Sequence, residues 1–201
     1  MKEKVILVGG YHEIIELSED CGYKVVGIID NDNKGSYCNI PIIGKDSDAI
    51  SLFEKYKDCK VVICPHMPMV REKLYKLYSS IGYKFATLVS PNAHISRYAT
   101  VGEGSVIQGG VNIAANTNIG SFVKLNTNAN IMHDDEVEDF VTVAPDAVAL
   151  GYVRIKRYAF IGANSTILPN ITIGTKAIVG AGAVVTKDIE DGRTVKGIPA
   201  K

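Results

Sequence analysis

His133 opens the run His133-Asp-Asp-Glu-Val-Glu-Asp139, which gathers five carboxylates around one imidazole within seven residues. No other histidine follows residue 94. A carboxylate hydrogen-bonded to one ring nitrogen fixes the imidazole tautomer and raises its basicity. Asp134 beside His133 therefore makes a candidate general base, able to take a proton from an attacking amine or hydroxyl. The same composition also fits a solvated acidic corner with an incidental histidine. Carboxylates with a histidine can hold zinc or manganese, but one histidine on a turn whose neighbours point apart is a poor ligand set, and no metal is expected. A second group of polar residues lies near the start of the chain. Gly9, Gly10 and His12 follow one apolar run, and Asp30, Asn31 and Asp32 follow the next. A glycine turn after one strand and an acid after the next is the order of a βαβ nucleotide-binding unit, although the full GxGxxG pattern is absent.

The elements that must carry His133 are legible from a six-residue period. In sixteen consecutive blocks from Ile95 to Val185 the same position holds a branched aliphatic residue fifteen times, Ala149 being the exception. Two residues earlier in each block the side chain is small or β-branched, as at Ala129, Val141 and Ala147, except for Asp135. Neither a helix, with apolar residues three or four apart, nor a strand that alternates gives this period. A solenoid whose short strands turn a corner every six residues does. With three faces a coil takes 18 residues, so Ala115, His133 and Gly151 stack on one another. A glycine above the base leaves a backbone N–H uncovered, a donor of the kind that stabilises an oxyanion. Asp135 points inward in this register and needs hydrogen-bond partners there. Gly151, Ala163 and Ala181 leave room for a slender ligand along an edge, and they also suit tight turns in a crowded prism.

Residues 1–88 have another rhythm. Apolar runs over 4–8, 24–29, 60–63 and 84–88 alternate with helical segments over 11–21, 46–56 and 69–80, which predicts a small α/β domain with a parallel sheet. Ligands of such sheets sit beyond the carboxyl ends of the strands. The domain organisation read from the sequence is 1–88 for the α/β unit, 91–194 for the repeats and 195–201 for a tail that caps the last coil.

Composition narrows the function classes. Lys plus Arg equals Asp plus Glu, 22 against 22, with 12 of each before residue 90 and 10 of each after it. That balance, with no basic stripe and no Trp, excludes a nucleic-acid backbone binder from the expectations. No apolar run reaches the length of a membrane span, and the opening residues show no secretory cleavage pattern, so the expected location is cytoplasmic. The four cysteines all precede the repeats and are expected to be reduced thiols.

Several of these features together resemble a known family. They are the hexapeptide register, the segment Leu125-Asn-Thr-Asn-Ala-Asn-Ile-Met-His-Asp134, Ala144-Pro145, Gly151 and the tail Val195-Lys-Gly-Ile-Pro-Ala-Lys201. The chain resembles the NeuD/PglD-type sugar O- or N-acyltransferases of the hexapeptide-repeat superfamily over nearly its whole length. The resemblance implies an N-terminal Rossmann-like domain holding a nucleotide-linked sugar, then a left-handed parallel β-helix. It also implies a homotrimer with acetyl-CoA bound between subunits. Val8-Gly-Gly-Tyr-His12 resembles the family's glycine loop, with Tyr11 where a glycine is usual. Ile-Ile-Asp-Asn-Asp32 resembles its acidic nucleotide loop, and Ile42-Ile-Gly44 the turn that follows. Carried over, His133 is the general base, Asp134 orients it and Gly151 faces the thioester oxygen. Ala163 and Ala181 line the pantetheine path, and Thr142 stands where relatives place a second histidine near the cofactor. The implied activity is direct acetyl transfer from acetyl-CoA to the amino group of a nucleotide-linked amino sugar. A sugar hydroxyl as acceptor, or a catalytically silent nucleotide-sugar-binding scaffold, is the alternative.

Overall fold

The structure is a computed structural model and describes residues 2–201. The chain divides into two compact units, Met1–Leu88 and Val89–Lys201. The first is built on β1 (Lys4–Val8), α1 (His12–Asp20), β2 (Lys24–Ile29), β3 (Ser36–Tyr37), β4 (Ile40–Gly44), α2 (Ala49–Tyr56), β5 (Lys60–Ile63), α3 (Pro68–Ile81) and β6 (Lys84–Phe85). Its sheet runs β3-β4-β2-β1-β5-β6. Val5, Ile6, Leu7, Val61, Val62 and Ile63 are almost wholly buried, as expected of parallel strands covered on both faces. α3 starts with Pro68 at its first turn and ends at Gly82, whose φ of 107° a side chain would resist.

Two details of this unit were not foreseen. Ile42 and Gly44 do not form a turn; they belong to β4, which pairs parallel with β2 and antiparallel with the two-residue β3. The predicted strand over 84–88 divides, with Lys84–Phe85 beside β5 and Leu88–Val89 opening a sheet of the second unit. From β1 the chain first adds β2 and β4 on one side, then β5 and β6 on the other. The connections thus reverse beside β1, where ligands of such sheets settle.

The second unit is a parallel β-helix, left-handed as its hexapeptide register implies. Two-residue strands stack in three sheets of seven, six and five strands, and up to Val185 each strand pairs with those 18 residues away, as Ile113 does with Ile131 and Ile131 with Ala149. The aliphatic row that begins at Ile95 forms the core. Ile113, Ile131, Val143, Ile155, Ile161 and Ile173 are at most 1% exposed. Burying each such side chain contributes about 1.5–3 kcal/mol. Between strands the chain turns a corner in which the second residue has positive φ, from Asn116 through Asp134, Asp146 and Asn164 to Lys176. The repeat continues past residue 186: Ile189 bridges Ile173, and Thr194–Val195 pairs with Ile178–Val179. Residues 196–201 then fold onto the last coil, where the Val184 amide donates to the Gly197 carbonyl and the Ala200 amide to that of Val184.

Candidate active site

In the β-helix the 18-residue coil brings His133 and Gly151 to one edge. The Asp134 amide donates to the Ala115 carbonyl and the Tyr152 amide to the His133 carbonyl, so the three corners stack. His133 Nδ1 lies 2.9 Å from Asp134 Oδ2. With the Nδ1 proton on that bond, the Nε2 lone pair is left to accept a proton. Asp134 is itself held: Asn116 Nδ2 donates to its Oδ1 at 3.4 Å, and the Tyr152 side chain also hydrogen-bonds it. The His133 bond holds the Asp134 carboxyl below its ordinary range; desolvation opposes this, and Asn116 and Tyr152 reinforce it. The Tyr152 ring meets the imidazole edge to face at 5.4 Å. Met132, His133, Leu150, Gly151, Tyr152, Pro169 and Asn170 enclose a shallow cavity of about 440 Å³.

At four other corners the amide at this position is taken by a side chain: Ser121 donates to Asp139, Thr127 to Gln108, Arg157 to Glu138 and Thr175 to Asp191. The Gly151 N–H, like those of Ala115 and His133 on the same edge, has no hydrogen-bond partner among the described residues. What sets Gly151 apart is its backbone: it is the one first-corner residue among those described with positive φ, at 40°. A methyl group there would meet the His133 ring, 2.9 Å from Cε1 and 3.0 Å from Nε2.

Asp135, inward in the sequence register, is 1% exposed, and its partners are amides. Oδ1 accepts from Val153 N–H at 2.7 Å and Oδ2 from Met132 N–H at 3.1 Å. Burial pushes its carboxyl up to about 7, against the opposing pull of these two donors and of His133.

The small residues expected to share an edge do not. Ala163 lies one corner away from the His133 edge and stacks with Ala181, the Gly182 amide donating to the Ala163 carbonyl at 2.8 Å. The separation of 12 residues between 151 and 163 is two corners, not a full coil of three. Thr142 lies in the strand Thr142–Val143, is 1% exposed and does not line the cavity at His133.

The α/β unit holds a cleft of about 630 Å³ at the reversal beside β1, lined by Gly9, Tyr11, Asp30, Asn31, Asp32, Asp46, Pro65 and Lys73 among others. Asp30 Oδ1 accepts the amides of Asp32 and Asn33, both at 2.9 Å, and sets the loop after β2. Partial burial pushes the Asp30 carboxyl up, but these bonds outweigh it and its net displacement is downward. Asn31 is clamped to Asp46 by its Nδ2 at 2.7 Å and by the Asp46 amide to its Oδ1 at 3.0 Å. Buried Arg71 donates to the Pro65 and His66 carbonyls, fixing the loop after β5. Gly10 and His12 stand outside the cleft lining. His12 is exposed and pairs with Glu16 at 3.3 Å, while Tyr11 takes the inner place. Lys73 was missed in the sequence; its signal was Val70, Lys73, Leu74 and Leu77, which share one face of α3. Among the described residues no group of three His, Cys, Asp or Glu side chains is placed to hold a metal.

The family model described as bacterial transferase hexapeptide (six repeats) matches residues 152–187. Comparison with curated proteins by sequence returns no match. Among solved structures, the acetyltransferase domain of PglB from Neisseria gonorrhoeae, in complex with acetyl coenzyme A, is 30% identical. It covers 100% of this chain and 99% of that one, with a TM-score of 0.93. PerB from Caulobacter crescentus, in complex with CoA and GDP-perosamine, is also 30% identical, over 98% of this chain and 96% of that one, with a TM-score of 0.93. WeeI from Acinetobacter baumannii is 29% identical over 98% and 99%, with a TM-score of 0.86. Identity of this level over nearly all of both chains shows that the chain belongs to the NeuD/PglD-type branch of the hexapeptide-repeat, left-handed β-helix acyltransferases, the branch that includes PerB and the PglB acetyltransferase domain.

Proposed function

We propose that this chain transfers the acetyl group of acetyl-CoA to the amino group of a nucleotide-linked amino sugar. The observation that carries the reading is the stack of the His133–Asp134 pair on Gly151, whose amide has no other partner. The neutral amine attacks the thioester carbonyl carbon, forming the C–N bond, and gives its proton to His133 Nε2. Negative charge on the carbonyl oxygen is met by the Gly151 N–H. The C–S bond then breaks, and the coenzyme leaves as a thiolate that takes up a proton. Asp134 keeps Nε2 facing the acceptor and stabilises the imidazolium as it forms.

The cleft of the α/β unit supplies the rest of the substrate. Gly9 allows backbone close to a diphosphate, Lys73 offers it a cation, and the Asp30–Asp32 loop with the Asn31–Asp46 clamp presents acceptors to ribose or base. The relatives support this division: PerB was solved with CoA and GDP-perosamine, and a GDP-perosamine N-acetyl transferase from the same organism was solved with one histidine replaced by alanine or by asparagine. Because His133 and Ala163 stand on different edges, a pantetheine chain touching both passes between two prisms, which fits a homotrimer with sites between subunits. No helix among the described residues is long and apolar enough to cross a membrane, and the cytoplasm, where acetyl-CoA is made and used, is the proposed location.

The test is coenzyme A release measured across UDP-, GDP- and dTDP-linked amino sugars, with the corresponding hydroxy sugars as controls. One amino sugar should support turnover, and His133→Ala should lower it by about 10²-fold or more with acetyl-CoA still bound. Equal turnover in that variant overturns the assignment of the base. Release only with hydroxy sugars overturns the amine acceptor.

A further inference from the structure

We infer that Asp135 is a positioning residue, a strap between coils that holds the 150–153 corner so that the Gly151 amide is presented beside His133; the catalytic part of this rests on the reading proposed above. In the corners ending at Ala129, Ala147, Ala159, Ala177 and Ala183, the inward residue's amide closes the turn on the carbonyl three residues back, at 3.0–3.4 Å. At the corner carrying Gly151 that bond is absent, as it is at the corners ending at Thr117 and Ile171, and the Val153 amide reaches to Asp135 Oδ1 in the coil below, at 2.7 Å.

The other carboxylate oxygen, Oδ2, shares the Met132 amide, at 3.1 Å, with the Ala149 carbonyl, also at 3.1 Å. Met132 immediately precedes His133, and its carbonyl receives the Thr117 hydroxyl at 2.6 Å. One buried side chain thus grips the backbone just before the base and just after the glycine, and ties the two corners together. The corner that it holds carries Gly151, the one first-corner residue among those described with positive φ. Elsewhere the inward position is filled by Ala, Val, Ser, Thr or Ile, which suffices to build a coil. A carboxylate here costs desolvation that an alanine would avoid, so the coil itself does not require it. What it adds is a hydrogen-bond acceptor under Val153.

Ser105 supplies the control. At the same inward position it accepts the Val123 amide at 3.0 Å, the bond equivalent to Val153–Asp135, and donates to the Gly120 carbonyl at 2.9 Å. Asp135→Ser therefore keeps an acceptor for Val153. Asp135→Ala has nearly the same volume and keeps none.

The experiment compares these two variants with the wild type by amide hydrogen exchange and by steady-state kinetics. In Asp135→Ala the Val153 amide should exchange at least tenfold faster, and kcat should fall at least tenfold while the KM values for acetyl-CoA and sugar nucleotide change less than threefold. In Asp135→Ser both exchange and kcat should stay within about threefold of the wild type, a rescue that a packing role would not produce. Unchanged Val153 exchange in Asp135→Ala overturns the strap. Faster exchange with unchanged kcat, in an enzyme that His133→Ala inactivates, overturns its catalytic role alone. Absence of acetyl transfer in the wild type counts against the proposed function, and the exchange data still decide the strap.

Discussion

A methyl group at position 151 would lie against the imidazole it is meant to assist, 3.0 Å from His133 Nε2, on a residue whose φ is 40°. Gly151→Ala should therefore displace the ring and rotate the amide together, lowering kcat by about 10²-fold. Nucleotide binding in the other unit should be unchanged; coenzyme A release and a nucleotide titration check the two halves of this expectation. Asp135 yields a prediction in pH. Its folded-state carboxyl, up to about 7, lies above the unfolded value of 3.8. Its contribution to stability is thus complete below about pH 3.8 and lost as pH rises to about 7. Thermal unfolding of Asp135→Ser and of the wild type, compared at each pH, should shift in favour of the variant between about pH 4 and 7; a constant difference contradicts the raised value. His133 and Gly151 were legible in the sequence because an 18-residue coil is a matter of counting. Tyr152 was not, because its reach to Asp134 depends on a left-handed corner that the period does not specify. Nor could counting reveal that Asp135 is satisfied by two amides, since backbone donors have no signature in the sequence.

At the scale of elements, the aliphatic row announced the strands, and the asparagines at 116, 128, 164 and 170 suited corners of positive φ. Phe122, Phe140 and Tyr158 occupy the same corner position although a bulky side chain resists it. Their compensation is mutual. Phe140 stacks on Phe122 at 5.3 Å and on Tyr158 at 5.8 Å, and the Arg157 guanidinium lies 5.2 Å from its ring. Such a ladder joins residues 18 apart, so it becomes visible in a sequence only once the coil length is known. Phe140→Ala removes the middle rung of a buried stack while keeping the unfavourable backbone. Chemical denaturation should show a loss of about 3–5 kcal/mol. The His133 corner belongs to another edge, so activity at low temperature should persist; a loss under about 1 kcal/mol would show that the rings merely cover the corners.

For the whole molecule, the sequence distinguished the two units by rhythm, but it placed Ala163 and Ala181 beside Gly151, and the register separates them. His133 and Gly151 form one edge of the prism, Ala163 and Ala181 another. If the acetyl donor needs both edges, no single chain has a complete site, and defects on different edges should complement each other. His133→Ala removes the base from one edge, and Ala163→Trp blocks the other with a bulky ring; each alone should be nearly inactive. In the proposed homotrimer, reassembled from equal amounts of the two variants, an interface is intact when the Ala163→Trp subunit offers its His133 edge to the Ala163 edge of a His133→Ala neighbour. Random assembly in a cyclic trimer makes that roughly one interface in four, so activity should recover to about a quarter of wild type. Recovery requires subunit exchange, which refolding the two variants together ensures and mixing them as native proteins does not. No recovery after joint refolding would mean that one chain suffices for each site, and the path past Ala163 would then have to be abandoned while His133 kept its role.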